Sequence, residues 1–258
     1  MNQNDELLYH IKVKRTANLP RYLITCGDPG RAQRIASEFL TNSQELAKNR
    51  EYWSFIGEYK GVNLIVSSMG IGSPSTAIGL EEFAMAGVDT FIRVGTSGSL
   101  SPDIPHGSIV NAIASVRDEG TTRQYVPLEY PAVATTDVIL ALRQAAALLK
   151  GVNYAEGIVH SKDTFYSEYP NHTAQEAYNK SRWESWKKGN VLATEMECSA
   201  LFVLAQLRKW RAGSILAVIG STWSESPVSS DHSSGQTEAI TTALEAIKIL
   251  SDQDKQRK

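Results

Sequence analysis

Arg21-Tyr22-Leu23-Ile24-Thr25-Cys26-Gly27-Asp28-Pro29-Gly30-Arg31 reads as a strand, a tight turn and the opening of a helix in immediate succession. After Arg21 the run is mostly apolar, with β-branched Ile24 and Thr25, as strands prefer, and Asp28 with Pro29 supplies the residue types that favour a helix start. Working outward, β-type runs recur at 52–59, 62–68, 89–95, 108–116 and 213–220. Amphipathic helical stretches fill the intervals at 30–40, 74–86, 137–149, 174–188, 195–208 and 236–251. Strands alternating with helices predict an α/β fold on a mixed, largely parallel sheet. Glycine and serine cluster where strands end, at Gly27, at Gly70-Ile71-Gly72-Ser73 and at Gly95-Thr96-Ser97-Gly98-Ser99. In open α/β sheets the ligand crevice lies beyond the carboxyl ends of the strands, so these segments are where a site is expected.

The 258 residues contain 42% hydrophobic and 21% charged side chains, which excludes a chain too polar to fold. No apolar run approaches the roughly 18–20 residues that span a bilayer. A net charge of -2 offers no global field for nucleic acid or anionic lipid, so any bound anion must be held by local arginines. Cys26 and Cys198 stand alone, without metal-ligand or disulfide spacing. A polar N-terminus without a signal-peptide core predicts a cytoplasmic location. Without repeats or linkers, residues 1–258 are expected to form a single domain. The serine-rich stretch 224–234 reads as a movable loop, and the polar end 251–258 as frayed.

Gly27-Asp28-Pro29-Gly30-Arg31 has the geometry in which first-turn amides and the helix dipole attract an anion, with Arg31 adding full charge. No Gly-Lys-Ser/Thr follows, which excludes a Walker A loop, and 70–75 lacks the third glycine of a dinucleotide fingerprint. Arg93 lies within the apolar strand Phe91-Ile92-Arg93-Val94, where a charge is costly without a partner or bound anion. A bland reading pairs it with Glu81 or Glu82. Arg50, beside Glu51 and Tyr52, completes a set of three arginines near strand ends or turns.

Seven ordered segments carry a resemblance over nearly the whole chain: 27–31, Asn-Arg-Glu-Tyr at 49–52, Met-Gly-Ile-Gly-Ser-Pro-Ser at 69–75, Ile-Arg-Val-Gly-Thr-Ser-Gly at 92–98, Pro-Leu-Glu-Tyr-Pro-Ala-Val at 127–133, Ser-Lys-Asp-Thr-Phe-Tyr at 161–166 and Thr-Glu-Met-Glu at 194–197. In these the chain resembles the nucleoside phosphorylases of the hexameric type, and most of all their uridine-cleaving members. The resemblance implies a three-layer αβα fold around a twisted sheet and a pentosyltransferase activity, in which phosphate reversibly cleaves a ribonucleoside to the free base and ribose 1-phosphate. It implies phosphate binding by Gly27, Arg31, Arg93 and Thr96, with Arg50 arriving from a neighbouring subunit. His10 would cross the same interface to the ribose 5'-hydroxyl. Met196 would pack under the sugar and Glu197 would bind its 2'- and 3'-hydroxyls, leaving Glu195 a supporting place. Arg93, Thr96 and Glu197 would therefore carry the catalysis. The implied assembly is a homo-oligomer, a dimer as functional unit and commonly a hexamer. No organic cofactor is implied, phosphate being a co-substrate, but a structural potassium site would map to Glu51, Ile71 and Ser75.

The base pocket departs from the pattern. Phe165 matches the stacking phenylalanine, but the Gln and Arg that read uracil are absent from Tyr166-Ser167-Glu168-Tyr169-Pro170-Asn171-His172. Glu168, Asn171 or His172 stands in their place, and Ser221-Thr222 replaces an Asn-Arg pair. Ile219 occupies the position of the aspartate with which purine members protonate the leaving base, and an isoleucine has no proton to give. Three readings follow: cleavage of uridine or a related pyrimidine nucleoside, another specificity of the superfamily (purine phosphorolysis or hydrolysis of a thioadenosine-type nucleoside), and a non-catalytic nucleoside-binding protein. The phosphate arginines argue against a hydrolase, the intact set with Thr96 and Glu197 argues against a non-catalytic binder, and Ile219 with the Phe-Tyr and Pro-Leu-Glu-Tyr-Pro segments favours the first.

Overall fold

A computed structural model describes residues 6–221 and 234–257. Strand β1 (Tyr22–Cys26), helix α1 (Pro29–Phe39), the strands β2 (Thr41–Asn49), β3 (Tyr52–Tyr59) and β4 (Val62–Ser68), and helix α2 (Ser73–Met85) make up the first part. Then come β5 (Thr90–Ser99), β6 (Ile109–Asp118), the short β7 (Ala132–Val133), α3 (Thr136–Ala146) and β8 (Tyr154–Lys162). Helix α4 (Glu176–Lys188), the three-residue β9 (Ala193–Glu195), α5 (Cys198–Arg208), β10 (Arg211–Ser221) and α6 (Gln236–Gln256) complete the chain.

The strands form one mixed sheet in the order β10-β6-β8-β9-β5-β1-β4-β3-β2, with β7 beside β6. β10 also pairs with β5 in parallel, so the sheet curls back on itself. The result is a closed ring of β5, β10, β6, β8 and β9 carrying an open wing of β1, β4, β3 and β2. Parallel pairing joins β1 to β4 and β5, and β8 to β6 and β9, while antiparallel pairing joins β9 to β5 and β6 to β10. Closure removes a sheet edge and brings the end of β8 opposite β5.

Helices cover both faces, as the three-layer expectation requires. Leu80, Phe83, Leu201 and Phe202 of α2 and α5 are fully buried on one side. Ile35, Leu142, Leu244 and Ile247 of α1, α3 and α6 are buried on the other. Each such side chain contributes about 1.5–3 kcal/mol by leaving water.

The strands and helices expected from periodicity are present, with shifted ends. β2 went unread because Thr41-Asn42-Ser43-Gln44-Glu45-Leu46-Ala47-Lys48-Asn49 is polar and mostly exposed at the sheet edge, where alternation has no core to report. β8 and β9 also went unread. The C-terminal stretch is a correction: α6 runs to Gln256, pinned because Asp254 accepts from Tyr22 Oη (2.6 Å) and from Arg211 Nη1 (3.0 Å) and Nη2 (2.7 Å). Thr222 and nearly all of the 224–234 loop lie outside the described residues.

Candidate active site

The carboxyl ends of β1, β5 and β10 border a cleft of about 690 Å³, faced across the ring by the end of β8. Gly27, Arg31, Ile71, Arg93, Thr96, Phe165, Glu168, Met196, Glu197 and Ile219 all line it, so ten residues chosen from sequence converge on one place.

At one end the β1–α1 turn behaves differently from expectation. The Asp28 carboxylate accepts from the amides of Gly30 (3.0 Å) and Arg31 (3.1 Å), capping α1. Those amides serve the cap, which leaves attraction of an anion to the arginines. Arg31 Nε reaches Gln236 Oε1 at 3.3 Å. Burial and the neighbouring charge of Arg93 both push the Arg31 guanidinium below the ordinary arginine value. Two cations held near each other at a cleft wall make a seat for a multiply charged anion.

Arg93, only 5% exposed, donates from Nε to Glu195 Oε2 (3.2 Å) and from Nη2 to Glu197 Oε2. The partner is therefore neither Glu81, which binds Arg208, nor Glu82, which binds His10. Gly95 makes this possible: a Cβ there would sit 2.9 Å from Arg93 Nη2 and 2.6 Å from Leu216 Cδ2. The guanidinium folds back over its own strand only because that space is empty.

The helix expected from 195 begins at Cys198, so Glu195 ends β9 and Glu197 is the residue before α5. Glu197 is buried, not a solvated helix-start carboxylate, and its Oε1 accepts the Gly72 amide at 2.6 Å. Glu195 accepts from Ser161 Oγ and from the amides of Glu197 (2.8 Å) and Cys198 (3.0 Å). Burial works against its charge, yet Arg93 and these donors hold the Glu195 carboxyl below the usual carboxylate range. Glu197 goes the other way, pushed up by burial and by its neighbour Glu195 in spite of Arg93. The two glutamates share one cation and divide the work: Glu195 fixes Arg93, and Glu197 faces the cleft.

At the other end Phe165 presents a ring to the cleft, the residue being 47% exposed. Glu168, Tyr169, Ile219 and Ser221 close around it, whereas Asn171 and His172 are exposed and do not line the cleft. Sequence reading gave Lys162 no role. It is 3% exposed, lines the cleft, and donates to Glu168 Oε1 (2.7 Å) and Thr194 Oγ1 (3.0 Å). Unlike Arg93, which stands within an apolar strand, Lys162 follows the polar pair His160-Ser161, so its local sequence does not mark it as a buried charge.

Four expected residues lie away from the cleft. His10 Nδ1 bonds Glu82 Oε1 (2.7 Å), and its amide donates to Glu82 Oε2 (2.9 Å). Arg50 is exposed in the two-residue turn joining β2 to β3, with φ +52°. Asn49 Nδ2 donates to the His10 carbonyl at 2.7 Å, so the two form one surface patch. Glu51 Oε1 accepts from Ser75 Oγ at 2.8 Å, near Ile71, which is 76% exposed.

The sequence profile of the Phosphorylase superfamily matches residues 21–251. A uridine phosphorylase of Treponema pallidum (strain Nichols) is 42% identical over 251 residues, covering 96% of this chain and 96% of that one. A guanosine phosphorylase of Halorubrum lacusprofundi is 39% identical over 194 residues, 75% of this chain and 76% of that one. The crystal structure of uridine phosphorylase from Vibrio fischeri ES114 superposes with a TM-score of 0.84 at 34% identity, covering 94% of this chain and 97% of that one. With this fold, this arginine–glutamate cleft and these relatives, the chain belongs to the phosphorylase superfamily.

Proposed function

We propose that the protein is a pentosyltransferase catalysing reversible phosphorolysis of uridine or a related pyrimidine nucleoside. The observation that carries this reading is the pair Arg31 and Arg93 beside Glu197 in one cleft. Phosphate seated on the guanidiniums and Gly27, with Thr96 at its side, attacks the sugar carbon. Glu197 accepts hydrogen bonds from the ribose hydroxyls, and its negative charge stabilises an oxocarbenium-like transition state, with Met196 under the sugar. Phe165 gives the base a stacking face. Ile219 lines the cleft and has no proton to give, which disfavours the acid-assisted route for purines.

His10 and Arg50 lie away from their own cleft on a common surface. Exposed Leu7 and Tyr9 precede His10, and Ile78 and Met85 are exposed on α2. These features support a second copy of the chain that takes His10 and Arg50 into its own cleft, a dimer within a hexamer. Glu51, Ser75 and the backbone at Ile71 offer the oxygen donors that a structural potassium ion prefers. One domain over 1–258, a cytoplasmic location and a role in nucleoside salvage complete the reading. Two buried free cysteines suit a reducing compartment.

The test is release of free base from uridine, thymidine, inosine, adenosine and methylthioadenosine, with and without phosphate. Phosphate-dependent release from uridine is expected, and release that ignores phosphate refutes the reading. Mixing Arg50→Ala with Glu197→Ala subunits restores part of the activity where sites are shared.

A further inference from the structure

Lys162 and Glu168 form a buried opposite-charge pair at the base end of the cleft, and neither takes part in holding phosphate or sugar in the reading above. Lys162 Nζ is 2.7 Å from Glu168 Oε1, 3.0 Å from Thr194 Oγ1 and 5.8 Å from the centre of the Phe165 ring. Thr194 also meets His160 Nδ1 at 3.1 Å, and His160 Nε2 meets Asp118 at 3.0 Å. The ammonium is thereby fixed by a chain of bonded groups behind the wall. One lysine bond leaves most of the acceptor capacity of a carboxylate unused, and an ammonium with two partners keeps a third N–H.

We infer that Lys162 and Glu168 together read the edge of the base stacked on Phe165, selecting a ring N–H beside a carbonyl, as in uracil, hypoxanthine or guanine. The Glu168 carboxylate accepts from the ring N–H, and Lys162 donates to the adjacent carbonyl oxygen. This deepens the functional reading above and rests on it. It also supplies a second effect. As the C1'–N bond breaks and the phosphate oxygen bonds C1', the electron pair stays with the base and its carbonyl oxygens gain negative charge. Lys162 stabilises that charge in a place with little water, and the proton carried by hydrogen phosphate ends on the base nitrogen. Glu168 is needed at the same time, since an isolated ammonium at this depth carries a desolvation cost that its partner offsets. The pair thus takes over the work of the missing glutamine and arginine with different residues at different positions.

The experiment compares uridine with 3-methyluridine, in which a methyl group replaces the hydrogen of the ring N–H, in the unaltered enzyme, in Glu168→Gln and in the double variant Lys162→Met with Glu168→Gln. The double variant is a neutral pair of similar size and guards against a folding defect caused by one unpaired buried charge. The unaltered enzyme is expected to favour uridine in kcat/KM, and Glu168→Gln to reduce that preference about tenfold or more. The double variant is expected to lose about a hundredfold in kcat on uridine while its KM for phosphate stays within about twofold. A uridine to 3-methyluridine ratio unchanged by Glu168→Gln overturns the inference, because a purely structural pair lowers both substrates equally. Calorimetric binding of uracil against 3-methyluracil in the presence of phosphate separates the two layers of the argument. A binding preference that depends on Glu168 without turnover upholds the pair and refutes the phosphorolysis reading, and binding with no such preference overturns the pair.

Discussion

Replacing Arg93 with methionine tests the electrostatic core of the cleft. In the native fold this guanidinium bridges Glu195 and Glu197, and all three groups are nearly excluded from water. Methionine fills a similar volume but leaves two buried carboxylates without their cation. Breaking a buried ion pair from one side costs about 3–5 kcal/mol. At about 2 °C per kcal/mol for a chain of this size, the melting temperature falls by roughly 6–10 °C near neutral pH. The deficit shrinks at acid pH, because Glu197, already pushed up by burial, takes a proton and ceases to be an uncompensated charge. Arg31→Met is the contrasting variant. Among the described residues Arg31 makes only its 3.3 Å bond to Gln236 and a 3.5 Å approach to the Val94 carbonyl, and its loss relieves repulsion from Arg93. Its melting temperature without phosphate stays within about 2 °C of native. The stabilisation by saturating phosphate, about 2.7 kcal/mol at a hundred times Kd, disappears. Both variants lose phosphorolysis. Scanning calorimetry at the two pH values, with and without phosphate, reads all of this. An Arg93→Met protein that melts with the native one at both pH values refutes the reasoning.

Asp254→Ala removes the acceptor that ties the last turn of α6 to Tyr22 and Arg211, and is expected to cost about 1–3 kcal/mol in urea unfolding, with faster amide exchange confined first to the end of α6. His160 is buried between Trp183 and Trp186, and burial holds its pKa below the ordinary histidine value in spite of Asp118. The unfolded chain therefore binds a proton that the folded one refuses, so this contribution is present above about pH 6.5 and is lost as pH falls below it. Urea titrations across that range should show a shallower decline for His160→Gln.

The parts of the fold and site visible in the sequence are those where one physical demand dominates. A charge inside Phe91-Ile92-Arg93-Val94 announces a buried partner or ligand, and Asp28-Pro29 announces a helix start. β2 was invisible because an exposed edge strand need not alternate, and β9 because three residues carry no period. The partners of Arg93 could not be read for a different reason. Choosing Glu195 and Glu197 over Glu81 and Glu82 depends on ring closure, which no local window contains. Lys162 was overlooked because its meaning lies in Glu168, six residues later, beyond a turn that faces it back into the cleft.

The three-residue strand β9 joins β8 to β5, and the chain running on from it supplies Glu195, Met196 and Glu197 to the cleft. The shortest seam of the ring therefore also carries the residues proposed to seat the sugar. A nucleoside gripped there acts as a clasp across the joint, so filling the cleft and fastening the barrel are one mechanical event.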